Sequence, residues 1–144
     1  PVVAQAHGIA TAAGCQLVAT CDLAVADAHT RFGVNGVNIG LFCSTPMVAL
    51  SRNVPPKQAF EMLTTGEFLN TALAGDAEEL AGKVASKLAS AVKIGKQAFY
   101  AQRHMSTEDA YAYTGAVMVE NMGFDATDEG VKAFIEKRAP NWDQ

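Results

Sequence analysis

One stretch limits this chain more than any other. Gly8-Ile9-Ala10-Thr11-Ala12-Ala13-Gly14 is built almost wholly from small residues and lies between two short apolar runs, Val2 to Ala6 and Cys21 to Ala26. Small side chains let backbone come close to something, and glycine permits turns that other residues resist. The two runs read as short buried strands, with a third extended piece around Arg31 to Gly33. Cys15 to Thr20 follows the small residues as one or two helical turns. Strand, tight turn, short helix and second strand make a compact βαβ-like step. Asp22 is a charge inside the second run, and such a group needs a structural hydrogen bond.

Farther along the pattern turns helical. Ser44-Thr45-Pro46 reads as a helix start, with a hydroxyl cap and Pro in the first turn. Pro56 to Thr65 carries Ala59, Phe60, Met62 and Leu63 on a helical period and stops at Gly66. Asp76 to Ala89 places Leu80, Val84 and Leu88 four apart. Helices follow over Ala91 to His104, Ser106 to about Asn121, and Asp125 to Lys137 or Arg138, with Pro140 as the stop. The last two open on capping and acidic residues. Tyr100, Tyr111 and Tyr113 suit packing or subunit contacts, and Trp142 suits a tail anchor. The expected organisation is an α/β part, residues 1–70, and a helical part, residues 71–144.

Hydrophobic residues make up 49% of the 144 and charged residues 18%, the balance of a well-buried globular chain. The net charge of -4 argues against nucleic acid or an anionic membrane as the main partner. Cys15, Cys21 and Cys43 form no CxxC pair, and His7, His29 and His104 are scattered, so no metal site is expected. Free thiols point to a reducing compartment, cytoplasmic, or mitochondrial in a eukaryote. A chain opening at Pro1 on an apolar run reads as a fragment.

The order of His7 to Leu17, Thr20 to Ala26, Phe32-Gly33 and Asn38-Ile39-Gly40-Leu41 resembles the enoyl-CoA hydratase/isomerase (crotonase) superfamily. Ala59 to Glu67 and Glu129 to Arg138 look like the same family in the same order. Ala10 to Gln16 and Gly40 to Pro46 look most like its subgroup of enoyl-CoA hydratase domain-containing protein 3. The resemblance implies an α/β crotonase-like ββα spiral, of which this is the C-terminal part, followed by a helical trimerisation segment. It implies an acyl-CoA thioester substrate, coenzyme A as part of that substrate with no other cofactor, and a homotrimer or hexamer. The family continues for a dozen or more residues after Asn70-Thr71-Ala72, and for a few near Ser90, that this sequence lacks.

The same resemblance assigns roles. One of two backbone donors that stabilise an enolate-like thioester oxygen falls on the Ala13 amide, with Gly8, Ala10 and Gly14 around it. A helix N-terminus offers unpaired N–H groups there, each worth about 3 kcal/mol toward developing negative charge. The two hydratase glutamates fall on Gln16 and Gly36, neither of which can exchange a proton at neutral pH. The resemblance therefore implies family membership with hydratase chemistry missing: either an isomerase- or lyase-type catalyst or a non-catalytic binder. Asn35 and Asn38 suit turn-forming or backbone-capping roles. Ser44 matches an acidic position of other members. Cys43 or Ser44 lining the acyl pocket is one reading, since a thiol pKa can fall at a helix N-terminus; Ser44 or Thr45 as a plain cap is the other. Met118 and Lys137 match positions that meet the phosphate and adenine end of CoA, although a basic residue at a helix C-terminus also suits the dipole.

Overall fold

The computed structural model describes residues 2–69 and 82–142. Its first part contains β1 Val3–Ala6, β2 Ile9–Thr11, α1 Ala13–Thr20, β3 Leu23–Ala26 and β4 Arg31–Gly33. The strands form two sheets, β1 beside β3 and β2 beside β4, each parallel, with α1 in both crossovers. The expected step is thus doubled, because Ile9–Thr11, read from sequence as turn, pairs with Arg31–Gly33. The first and third strands are not buried as expected: Val3, Leu23 and Val25 are each more than half exposed. Burial needs a covering layer, and among the described residues β1 and β3 contact chiefly each other. Asp22 likewise lies in the open just before β3, where its carboxylate accepts the Val2 amide at 2.6 Å.

A 3-10 turn, Asn35–Ile39, follows, then α2 Ser44–Asn53 and α3 Pro56–Thr65; beyond the undescribed segment come α4 Ala89–Gln102, α5 Thr107–Met122 and α6 Asp125–Ile135. α3 keeps its expected bounds, with Pro in the first turn and Gly66 at φ +67 closing it. Ser106 caps α5 by accepting the Asp109 amide at 3.1 Å. α2 has no such hydroxyl cap: Cys43 holds the cap position, and the buried Ser44 hydroxyl donates instead to the Phe42 carbonyl at 3.3 Å. α6 ends before Lys137, which takes φ +55 while the Arg138 amide reaches back to the Ala133 carbonyl at 3.0 Å. Part of the expected Asp76 to Ala89 helix, with Leu80, lies outside the described residues, as does the boundary at residue 70. Residues 82–85 are helical, and Leu88 is buried at the cap of α4.

The core fills the space among α2, α3, α4 and α5. Phe42, Met47, Leu50, Leu63 and Phe99 are almost inaccessible there. The Phe42 ring occupies the space over Gly95, where any Cβ would collide with it. Fully buried Asn121 on α5 fastens the segment entering the core: its Oδ1 accepts the Phe42 amide at 2.8 Å, and its Nδ2 donates to the Gly40 carbonyl at 3.1 Å. The Thr127 hydroxyl of α6 donates to the Asn121 carbonyl at 2.8 Å. Asn121→Ala would leave two backbone groups buried without these partners. It is expected to lower unfolding free energy by about 2–3 kcal/mol, read as a fall in the urea midpoint at unchanged slope.

Candidate functional site

The β2 to α1 connection is the single residue Ala12, whose methyl side chain offers no acceptor to cap the helix. Ala12 sits at φ 47 and ψ -116, a conformation unusual for a residue with a Cβ and costing about 1–3 kcal/mol. Two backbone bonds hold it, its amide donating to the Gly33 carbonyl and its carbonyl accepting the Gln16 amide, both at 3.0 Å. The first amide of the helix, Ala13 N–H, has no acceptor among the described residues and is exposed.

Ala12, Ala13 and Gln16 line one side of a cavity of about 500 Å³. The 3-10 turn supplies Asn35, Gly36, Asn38 and Ile39, followed by Leu41. Cys43, Thr45 and Pro46 enter from the start of α2, Met118 from α5 and Phe134 from α6. Of the residues singled out from sequence, the fold therefore brings Ala13, Gln16, Gly36, Cys43 and Met118 together. Gly8, Ala10, Gly14, Ser44 and Lys137 do not line the cavity. Gly8 makes the φ +67 turn into β2, and Ala10 is paired opposite Phe32. Gly14 is open to solvent, with no atom within 4 Å of a Cβ placed on it. Ser44 is turned into the core, and Lys137 is exposed beyond the end of α6.

The cavity wall carries no carboxylate, histidine, lysine or arginine among the described residues. Its amides are partly used for structure. Asn35 Oδ1 accepts the Thr11 hydroxyl at 2.9 Å, while Asn38 donates to the Gly66 carbonyl at 3.2 Å and accepts Lys87 Nζ at 2.6 Å. Gln16 Nε2 donates to the Tyr111 hydroxyl at 3.1 Å, so Tyr111 does more than the packing expected of it. Phe134, 69% exposed on α6, is a wall residue that sequence reasoning passed over in favour of Lys137.

Position 36 is closed as well as empty. A Cβ there would overlap the Leu41 carbonyl oxygen and lie 2.8 Å from Cys43 Sγ. The Cys43 thiol is not activated: burial pushes its pKa up, against the opposing hydrogen bond from the Gly36 amide. Burial likewise raises Cys15 from 9.0 to about 11, offset in part by the Gly33 amide. The expected fall of a thiol pKa at this helix start is therefore reversed, because desolvation outweighs the Gly36 hydrogen bond.

Gly36→Glu is expected to destabilise the fold by about 3 kcal/mol or more, since backbone and not a flexible side chain must move; thermal and urea midpoints measure it. The folded state keeps Cys15 protonated where an unfolded thiol ionises. Its contribution is fully present below pH 9, and is lost as pH rises toward about 11. Urea midpoints should accordingly fall over that window in the wild type and fall less in Cys15→Ala.

A sequence model of the enoyl-CoA hydratase/isomerase family matches residues 1–77. The chain is 47% identical to the Xenopus laevis protein named enoyl-CoA hydratase domain-containing protein 3, mitochondrial, over 99% of this chain and 54% of that protein. To the Homo sapiens protein of the same name it is 44% identical, over 99% and 52%. These alignments run to 158 positions against 144 residues here, so the relatives hold stretches with no counterpart in this chain. The chain spans about half the length of the curated relatives it matches. Among solved structures, a carnitinyl-CoA dehydratase from Mycobacterium avium 104 superposes with a TM-score of 0.64 at 28% identity, over 94% of this chain and 61% of that one. The parallel steps around α1, the helical second half and a family match over more than half of the residues lead to one assignment: this chain belongs to the enoyl-CoA hydratase/isomerase family and forms part of its α/β crotonase fold.

Proposed function

We propose that the cavity binds the acyl part of an acyl-CoA thioester and lacks hydratase chemistry. One observation carries this reading: among the described residues, the unpaired Ala13 amide shares a cavity with Gln16 and Gly36 in a wall that holds no acid or base. The Ala13 N–H would donate to the thioester oxygen as it gains negative charge, with the dipole of α1 behind it. Gln16 Oε1 can accept a hydrogen bond from water or from the ligand. A carboxamide cannot take the proton that hydration must remove, so water would be held but not activated. Isomerisation must move a proton between carbons and thioester hydrolysis must take one from water, so either outcome would need an acid–base group beyond the described wall. Family membership supports coenzyme A as the carrier, and the mitochondrial label of the relatives supports that compartment. Exposed Val119, Met122 and Ile135 on α5 and α6 support assembly into a homotrimer or hexamer.

A second reading, a non-catalytic acyl-CoA-binding or scaffold member of the fold, draws on the closure around Gly36. Calorimetry with a panel of acyl-CoA esters, beside turnover on each, separates the two. Binding is expected, with crotonyl-CoA hydration about 10³-fold or more below that of a family member with both glutamates. Turnover on another ester selects the first reading and binding alone the second. Absence of binding, or hydration at the rate of a member with both glutamates, rules out both.

A further inference from the structure

Gln16 is the lining amide whose oxygen has no partner among the described residues, while Asn35 and Asn38 spend theirs on Thr11 and Lys87. It lies one helical turn after Ala13, so both face the cavity from the same side of α1. A glutamine has three side-chain torsions and two chemically opposite ends. Unless something holds it, ordering it for a ligand costs rotamer entropy, and either end can face inward.

The structure holds it from 95 residues away. Tyr111, in the first turns of α5, accepts Gln16 Nε2 at 3.1 Å and leaves Oε1 without a partner among the described residues. Tyr111 does not line the cavity, whereas Met118, seven residues on and on the same helix face, does. The register of α5 is itself fixed, through Asn121, to Gly40 and Phe42 beside the 3-10 turn.

We propose that Tyr111 is a positioning residue, its hydroxyl anchoring the Gln16 carboxamide beside the bound acyl-CoA ester. This rests on the acyl-CoA reading given above. The phenol keeps its own proton, so the same hydroxyl could donate to a carboxylate at position 16.

The test is a double-mutant cycle in the intact protein, with butyryl-CoA as the probe in calorimetry and the Gln16 side-chain amide followed by 15N NMR. Tyr111→Phe and Gln16→Met should each weaken binding about five- to tenfold, and the double variant no more than either alone. In Tyr111→Phe the Gln16 amide protons should move toward free-glutamine shifts without ligand, a readout that a purely packing tyrosine would leave in place. Gln16→Glu should bind the probe with a pH dependence that Tyr111→Phe displaces upward, since the phenol stabilises the carboxylate. Wild-type binding that Tyr111→Phe leaves unchanged, or additive losses in the double variant, overturn this proposal alone. A wild type that binds no butyryl-CoA overturns the acyl-CoA reading and the proposal with it, even if the amide shift is seen.

Discussion

The contacts of one buried side chain place most of what surrounds the cavity. Asn121 uses both ends of its amide on the backbone of Gly40 and Phe42, and its carbonyl takes the Thr127 hydroxyl. Two successive helices, α5 and α6, thereby meet the end of the 3-10 turn, which lies about 80 residues before them in the sequence. The turn carries Asn35 to Leu41 into the wall, and the two helices carry Met118 and Phe134. A satisfied buried amide is directional in a way that apolar packing is not, so it sets register as well as proximity. The Phe42 ring, seated over Gly95, then fixes the same segment from the core side.

On the opposite wall the backbone does the positioning. Ala12 is held in a strained conformation by Gly33 and Gln16, and Ala13, the first residue of α1, lines the cavity. No side chain caps this helix. Among the described residues no acceptor competes for the Ala13 amide. Among the described residues the wall holds no carboxylate, and its thiol, Cys43, is raised by burial.

Local features of the fold were legible in the sequence. The bounds of α3, the cap at Ser106 and the parallel step around α1 follow from proline, serine and small-residue placement, which act within a few residues. What escaped the reading is long-range or silent in the residue type. Asn121 reaches residues about 80 away and Tyr111 reaches 95, and an asparagine or tyrosine on a helix announces neither. Alanine gives no sign that φ is positive. Burial of β1 and β3 was misread for a related reason: apolar alternation reports what a strand is suited to cover, not what covers it among the described residues.

The crowding around the Cα of Gly36 bears on how such a site changes over generations. A glycine can ordinarily gain a side chain by one substitution. Here the Leu41 carbonyl and the Cys43 sulfur occupy the volume that a new side chain would need. Room for it would require the backbone from Gly40 to Cys43 to shift, against the Asn121 bonds that hold Gly40 and Phe42. Position 36 is thus tied to its neighbours, and a single substitution there has to be accompanied by others.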